Sequence, residues 1–558
     1  MDAFLRDLRQ AARGLLRAPG FAAVAVLTLG LGIGASTAIY SLVERVVIDP
    51  LPYPGADRLV RLNSQTSEGT WGISRAQYAL FRAEAGTLEE LAGYRPMQAT
   101  VMGPNGPERA GVWAGTASFF RMMGARAALG RLVDEQDDVY QGTRVAVLSH
   151  GYWQRAFGGD SSVIGRTLSI DEAPIEVVGV MAPGLELPEQ VPAAVRPDIW
   201  LPLQLNLAGQ FWNSHMEFRA LARLAPGASA ADASRQLTAF NPRLIELYPD
   251  AYSAAFMERY AFRPEAEPLK QAMVGDAARN LWILLAGVGL VLLVACANIA
   301  NLFLVRAEGR RREMGVRTAL GAGRAAILRT FLAESTLVAG AGGVVAVLLA
   351  YWGVIWLVAR APADIPRLDG VGLDGSVLAF AGGLALLVAL ALSLLPGLRY
   401  AGAARRVGDL VEGGRSTTAG RERQRARGAL VVGQVALALV LLVGAGLLLE
   451  SFRRLQAVDP GIEPAGVLTV AVALPAARYD TFEKRWAFHQ ALLERVRAIP
   501  GVRAAGAGPV PLSDGYGCTV QAFPDAEVMQ RIADANGTLC AGQTSATDGY
   551  FEALGLPL

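Results

Sequence analysis

Histidine and cysteine are scarce in this sequence of 558 residues, which contains three of each. They are His150, His215, His489, Cys296, Cys518 and Cys540. These residues lie too far apart along the chain for the usual spacing of metal ligands, and we interpret each histidine as a packing or capping residue. With no nucleophile–base pair evident, we expect no catalytic residue, no metal and no cofactor in this chain.

Charge is also scarce, because 18% of the residues are charged, whereas a soluble domain has about 25%. The hydrophobic fraction is 52% and the mean hydropathy is +0.31, which predicts membrane spans alternating with soluble parts. The net charge of +2 gives no indication of nucleic-acid binding, since the arginines cluster beside apolar runs. The first apolar run begins late, at Phe21, and is too long for a cleavable signal peptide.

Five apolar runs are long enough to cross a bilayer, which takes roughly 20 residues. They are residues 21–43, 281–305, 331–358, 377–395 and 429–449. Two connecting segments are rich in arginine, namely 306–330 and 398–428. Such segments stay on the cytoplasmic side of a membrane. We therefore predict a cytoplasmic N-terminus, five spans and large domains on the opposite side.

The segments between the spans have distinct characters. Residues 1–20 are amphipathic and basic, which favours a helix at the membrane surface; the alternative is a basic flank that only orients span 1, residues 21–46. Residues 47–280 predict an α+β domain, with a strand and helix at 144–158, a hairpin at 166–181, and a strand, turn and helix at 218–237.

The second half of the chain repeats this layout. Residues 398–428 are interpreted as a flexible basic linker, and residues 429–450 as span 5. In residues 451–558 we predict strands at 468–474 and 502–508 and a helix at 481–499. The fold class is thus a multi-spanning α-helical membrane protein with α+β domains outside the membrane.

Three polar residues lie within the apolar runs. Asn298 and Asn301 are three apart and share a helix face, so we expect buried amides that bond to another helix; contact with a substrate is the alternative. Glu334 lies near the start of span 3. An acidic residue inside a span is a functional candidate, although this one is close enough to the edge to reach the interface.

An internal repeat connects the two halves of the chain. GTASFFRMMGA at 115–125 resembles ATDGYFEALGL at 546–556, and a basic flank and a span ending in glutamate precede both. The first copy continues through a hairpin and three spans, whereas the second stops soon after the motif. We therefore expect a truncated version of a longer, duplicated protein.

These motifs resemble a known family. EMGVRTALGAGRAAILRTFLAEST at 313–336, preceded by ACANIANLFLVRAEGRR, is similar to MacB/FtsX-type ABC-transporter permeases. Residues 27–62 and 147–188 resemble the duplicated ADOP subgroup. The resemblance implies a MacB-like periplasmic core domain at 47–280, an FtsX-like permease module at 281–397, and a second, incomplete core domain at 451–558.

The resemblance also implies that residues 306–330 form a coupling helix that rests on a separate cytoplasmic ABC ATPase. The contact positions carried over from the family are Glu313, Arg317, Ala319, Leu320 and Gly321, flanked by Arg312 and Arg324. The alternative is a basic anchor without a partner. The sequence has no G-x-x-x-x-G-K-[ST] motif, so ATP is expected to bind to the partner and not to this chain.

The sequence is compatible with three functions. The first is a permease subunit of the bacterial inner membrane that exports or extracts a substrate. The second is a regulator that drives an extracytoplasmic partner, such as a cell-wall hydrolase, without transport. The third, a membrane-anchored enzyme, is disfavoured by the scarcity of histidine and cysteine. Membrane lipid is an expected partner, and the sequence leaves open whether the protein forms a homo-oligomer. Cys518 and Cys540 are candidates for a disulfide in an oxidising compartment.

Overall fold

The computed structural model describes most of the chain. The residues that it does not describe are 1, 68, 105, 190–195, 208–217, 250, 310–323, 361–366, 369, 404–416, 459–461, 463–465, 471, 473, 475–477, 509–517, 521–539, 543–545 and 557–558. Two compact units are present, and each is described by itself. The first comprises Met1–Met97, Gly111–Gln154 and Val178–Leu447, and the second comprises Gln98–Ala110, Arg155–Val177 and Leu448–Leu558.

Long apolar helices confirm the prediction of five spans. The five long helices are α2 (Pro19–Val43), α9 (Leu269–Gly309), α10 (Arg324–Arg360), α11 (Gly375–Ala403) and α12 (Thr417–Gln456), and the shorter helix α1 (Asp2–Leu16) precedes them. The parts long and apolar enough to cross a membrane are Pro19–Ile48, Ala277–Arg306, Leu328–Arg360, Gly375–Leu394 and Val431–Arg454. Each contains the roughly 20 apolar residues that a bilayer requires.

The first four spans form a bundle in which α2 packs against α10 and α9. Small residues allow this packing, because a Cβ atom added to Gly30 would lie 2.7 Å from Cγ1 of Val345, and one added to Gly34 would lie 3.0 Å from the carbonyl oxygen of Ala346. Close backbone approach of this kind is typical of helix pairs in lipid. By contrast, none of residues 431–454 in the fifth span is buried.

A mixed sheet forms the extramembrane domain. Its strands are β1 (Leu59–Thr66), β2 (Gly69–Trp71), β3 (Leu88–Gly103), β4 (Gly106–Gly115), β5 (Ala127–Gly130), β6 (Val145–Leu148), β7 (Thr167–Ile170), β8 (Ala173–Met181), β9 (Ile199–Pro202), β10 (Arg219–Leu224) and β11 (Arg263–Pro268). The order across the sheet is β11-β1-β10-β3-β4-β9-β6-β8-β5. β4 and β9 are parallel, whereas β1 is antiparallel to β10 and β11.

Short helices cover this sheet. They are α3 (Arg75–Glu84), α4 (Ala117–Met122), α5 (His150–Phe157), α6 (Ala230–Ala239), α7 (Asn241–Leu247) and α8 (Ala254–Arg259). α3 begins with a capping box in which the Ser74 hydroxyl accepts from the Gln77 amide, and the Gln77 side chain accepts from the Ser74 amide. The predicted strand–helix at 144–158, hairpin at 166–181 and strand–turn–helix at 218–237 are confirmed.

One hydrophobic core continues from the extramembrane domain into the bundle. The ring of Trp113 stacks on that of Tyr94 and packs edge-on against that of Trp200. These three residues lie in the same buried cluster as Val46, at the end of the first span, and Leu281, at the start of the second. Because protein cores are close-packed, they transmit displacement. This end of the bundle is called the domain end below, and the end where α9 stops and α10 starts is called the loop end.

Both copies of the repeated motif form the same local structure. α4 (Ala117–Met122) is followed by Gly124 at φ +67°, and α14 (Tyr550–Ala553) is followed by Gly555 at φ +72°. Glycine is the residue that ends a helix in this left-handed conformation without a steric penalty. The repeat therefore extends to backbone geometry, whereas the duplication and truncation of a longer protein stay predictions.

The C-terminal part of the second unit contains α13 (Phe482–Arg497), which confirms the helix predicted at 481–499. The strands predicted at 468–474 and 502–508 are wrong, because no described residue of either range belongs to a strand. Leu468 and Val470 are 87% and 74% exposed. A sequence with strand propensity forms a strand only when a neighbour completes the ladder. The described strands here are instead β12 (Cys518–Val520) and β13 (Cys540–Gly542).

Candidate functional site at the two ends of the bundle

The predicted ATPase-contact positions follow α9 in sequence and end at the first residue of α10. Six of them, Arg312, Glu313, Arg317, Ala319, Leu320 and Gly321, fall in 310–323, outside the described residues. Arg324 is the first residue of α10, and its side chain is not described. Their role stays a prediction. The structure does describe how the two ends of this segment are held.

Arg306 and Glu334 connect these two ends. Arg306 lies near the end of α9, Glu334 lies in the third turn of α10, and Nε of Arg306 is 3.4 Å from Oε1 of Glu334. The two side chains are 19% and 5% exposed. Breaking a buried ion pair leaves an uncompensated charge, so the pair fixes the spacing of the two helices. Glu334 is thus buried and has a largely buried partner on the neighbouring helix.

The N-terminal helix α1 joins the same cluster. An Nη2 atom of Arg306 donates a 2.7 Å hydrogen bond to the carbonyl oxygen of Gly14, and its guanidinium lies 4.6 Å from the centre of the Phe21 ring. Arg329 of α10 pairs with Asp7 of α1. The contacts with Asp7 and Gly14 fix α1 to both helices that flank the loop. The amphipathic helix predicted within 1–20 is therefore present, and it packs on protein along this face.

The two asparagines in the second span have different surroundings. Asn298 is exposed on α9, so the expectation that its amide is buried is wrong. Asn301 is half-buried and has an interaction partner. An α-helix has about 3.6 residues per turn, so two residues three positions apart point in similar but not identical directions. One of them can therefore face a neighbouring helix while the other lies outside the contact.

The remaining candidates have plain surroundings where they are described. His150 begins α5 and packs edge-on against Trp153, with ring centroids 5.5 Å apart, and His489 packs edge-on against Phe488. His215 lies outside the described residues. In the pairing of β12 with β13, Cys518 lies opposite Gly542 and Cys540 lies opposite Val520, so the cysteines are diagonal neighbours. Their disulfide stays a prediction.

A second charged cluster, absent from the sequence-based predictions, lies at the domain end. Glu186 follows β8 and lies between two arginines, with Oε1 2.6 Å from Nη2 of Arg45 and Oε2 3.2 Å from Nε of Arg367. Arg45 lies in the single π-helical turn Glu44–Ile48 that ends the first span. Arg367 lies in the connection between α10 and α11. A signal was present, because arginines in a loop at the end opposite the arginine-rich segments run against the usual charge bias and require a local reason.

The residues around this cluster tie the same segments together. The Tyr53 hydroxyl donates to the carbonyl oxygen of Glu186 at 3.3 Å, and Nζ of Lys270 donates to that of Ile48 at 2.9 Å. Burial, and secondarily the positive charge of Arg367, lowers the pKa of Lys270. Burial and the nearby Glu186 carboxylate raise the pKa of Tyr53, so its hydroxyl stays protonated and remains a donor.

The extramembrane domain also contains an open cavity of about 420 Å³. Its lining includes the aromatic residues Tyr78 and Phe81 and the charged residues Glu90, Glu135 and Arg121. Arg121 pairs with both glutamates at 2.9 Å. These three charges are thus paired with one another within the domain. Among the described residues, no group of three or more His, Cys, Asp or Glu side chains is placed to hold a metal ion.

Two family models match this chain. The model described as MacB-like periplasmic core domain matches residues 22–240, and the model described as FtsX-like permease C-terminal matches residues 285–404. Together they cover more than half of the sequence. The chain belongs to the MacB/FtsX-type permeases of ABC transporters. With its five apolar helices, this permease is a multi-pass protein of the inner membrane.

Curated relatives align with part of the permease. The macrolide export ATP-binding/permease protein MacB of Burkholderia lata is 27% identical over 233 residues, which is 42% of this chain and 32% of that protein. MacB of Neisseria meningitidis serogroup A is 26% identical over 261 residues, covering 46% and 37%. The permease thus spans about a third of the length of these relatives.

Solved structures of extramembrane domains give weaker similarities. The periplasmic region of MacB from Actinobacillus actinomycetemcomitans has a TM-score of 0.28 and 15% identity, and the match covers 35% of this chain and 86% of that one. A permease domain from Porphyromonas gingivalis has a TM-score of 0.30 and 17% identity, with coverage of 39% and 92%.

Proposed function

We propose that this permease transmits motion from a separate cytoplasmic ATPase to its extramembrane domain, and that this motion exports or extracts a substrate. The arginine-rich segment 306–330 receives the motion on the cytoplasmic side, with Arg312, Glu313, Arg317, Ala319, Leu320, Gly321 and Arg324 at the contact. The N-terminus lies on that side too, and the extramembrane domain lies on the other. ATP binds to the partner, because this chain has no phosphate-binding loop of the P-loop type.

The ion pair between Arg306 and Glu334 is the observation that carries this proposal. A loop that only orients spans does not require its two ends to be held together by a buried charge pair. Here the pair joins α9 to α10, and Arg306 and Arg329 attach α1 to the same place. A force applied to the loop therefore acts on three helices at once. The continuous core at the domain end then passes their displacement to the sheet.

Co-purification of ATPase activity tests the proposal. A tagged permease is purified from native membranes in mild detergent, and the ATP hydrolysis retained on the resin is measured. We expect Arg317→Glu to abolish the retained activity, because it reverses a charge at the predicted contact. Arg423→Glu is the matched control, since it reverses an arginine in the other basic segment, 398–428, and should retain full activity.

Two results would contradict the proposal. One is retained ATPase activity that Arg317→Glu does not change, while both variants insert at wild-type levels. The other comes from cysteine accessibility: single cysteines placed between residues 310 and 324 should react only with a membrane-permeant reagent in intact cells. Labelling by an impermeant reagent would place the loop outside, where no ATP-hydrolysing partner can reach it.

A further inference from the structure

Arg367 has an unusual backbone conformation for its residue type. It lies at φ +60°, in the left-handed region that non-glycine residues seldom adopt. Its side chain is nevertheless 3% exposed, although arginine is almost never fully buried unless it is paired. A strained backbone persists only where surrounding contacts impose it, and such positions cluster at functional sites. Arg367 therefore has the features of a functional position.

All three guanidinium nitrogens of Arg367 have acceptors. Nε lies 3.2 Å from Oε2 of Glu186, Nη1 donates to the carbonyl oxygen of Asp49 at 3.1 Å, and Nη2 donates to that of Pro50 at 3.1 Å. Asp49 and Pro50 belong to the linker that leads from the first span to β1, and Glu186 follows β8 of the sheet. One side chain thus joins the α10–α11 connection to both the linker and the domain.

The acceptors hold the Arg367 guanidinium in a fixed orientation. Two of them are backbone carbonyls, so the linker cannot release Arg367 by rotating a side chain. The third is a carboxylate that Arg45 also holds, from the π-helical turn at the end of the first span. The guanidinium is planar and rigid, and a lysine ammonium cannot reproduce its fork of donors. Leu368 packs beside it against the continuous core.

We propose that Arg367 is the positioning residue that locks the α10–α11 connection, the Asp49–Pro50 linker and the extramembrane domain into one body, so that movement of the third and fourth spans is delivered to the domain at this point. The proposal rests on the proposed function for its purpose, because it supplies the output end of the transmission. The lock itself is a property of this chain alone and is testable without an ATPase.

Spin-label distances measured in lipid nanodiscs test the lock. Labels are attached at Ser376→Cys, at the start of α11, and at Ala231→Cys, on α6 of the domain; both positions are exposed. Cys296, Cys518 and Cys540 are first replaced by serine. In the wild-type background we expect a single narrow distance peak. Arg367→Ala should lose that peak and give a broad distribution, and Arg367→Lys should also broaden it, because the charge alone does not restore the fork.

Arg360→Ala is the matched control. Arg360 is an exposed arginine at the end of α10, and its side chain contacts the Trp356 ring. Its replacement should leave the peak unchanged. If Arg367→Ala does not fold, Glu186→Gln replaces it, because it keeps the shape of the side chain but loses the charge that both arginines share. A narrow peak in every folded Arg367 and Glu186 variant would overturn the proposal. No ATPase is present, so this failure is distinct from a failure of the proposed function, which the co-purification experiment measures.

Discussion

Arg306 and Glu334 are 28 positions apart in sequence, yet Nε of one lies 3.4 Å from Oε1 of the other at the loop end of the bundle. The undescribed residues of the arginine-rich loop lie between them in sequence. The pair therefore sets the separation of the two helices from which the loop starts and to which it returns. Because the Glu334 side chain is 5% exposed, water contributes little to stabilising it, and a partner on the neighbouring helix matters more.

Removing Glu334 should destabilise the permease strongly. Glu334→Ala leaves the largely buried Arg306 without its counter-charge, and we expect a loss of about 3 kcal/mol in the free energy of unfolding. Glu450→Ala is the control: its partner Arg454 is 80% exposed, so about 0.5 kcal/mol or less is expected. Equilibrium unfolding in mixed detergent measures both. If both variants lost the same free energy of unfolding, the Arg306–Glu334 pair would contribute no more to stability than an exposed ion pair.

Bulk added at Gly30 should separate the first and third spans. In Gly30→Leu, the new Cβ would lie 2.7 Å from Cγ1 of Val345, so one helix must shift, at an expected cost of about 2 kcal/mol. Gly289→Leu is the matched control in the second span, because no atom lies within 4 Å of its new Cβ. Thermal unfolding in nanodiscs should show a lower midpoint for Gly30→Leu only. If the control fell as far, helix packing at Gly30 would not be the cause.

Loss of the Arg329–Asp7 pair should free the N-terminal helix without unfolding the bundle. Arg329 is 42% exposed, so Arg329→Ala should change the free energy of unfolding by less than about 1 kcal/mol. Cleavage within Asp2–Leu16 by chymotrypsin should nevertheless become faster, because α1 then opens locally. Arg13→Ala, at an exposed position on α1 itself, serves as control. An unchanged cleavage rate in Arg329→Ala would mean that other contacts hold α1.

Two adjacent carboxyl groups in the extramembrane domain should respond to pH in opposite directions. Burial alone would raise the pKa of Asp137, but hydrogen bonds from the Arg131 guanidinium and the Asp134 backbone hold it below its usual value. Burial raises the pKa of Asp138, although the backbone amides of Gln204 and Ala117 oppose this.

The signs follow from proton linkage. A lowered pKa means that the folded state binds fewer protons than the unfolded state, so the stabilisation by Asp137 is present above about pH 4 and is lost as the pH falls further. Asp137→Asn should therefore cost about 2 kcal/mol at pH 7 and progressively less in acid. Asp138 has a raised pKa, so the folded wild type gains stability as the pH falls through that value, and Asp138→Asn should cost more in acid than at pH 7. The measurement is the difference in melting temperature between each variant and the wild type as a function of pH. If this difference changed with pH in the same direction for both variants, the prediction would be contradicted.

Much of the membrane architecture could be predicted, because hydropathy is a local property of sequence. All five apolar runs became long helices, and the helix at 481–499 and the hairpin at 166–181 formed where their periodicity indicated. The strands expected at 468–474 and 502–508 did not form in the described residues, since a strand depends on a partner that its own residues do not specify. The burial expected for Asn298 failed for a related reason, because helix rotation is set by the neighbouring helices.

The sequence by itself determined the number of spans, the arginine-rich segments and the kinship with MacB/FtsX-type permeases, since apolar run length, charge and motif are all carried by neighbouring residues. Only the tertiary structure decided that Glu334 pairs with Arg306, that α1 joins them, and that Arg367 meets Glu186 across 181 positions of sequence. Such charges are stable in buried places only when distant segments supply their partners, and those partners are brought together by packing that no local pattern encodes.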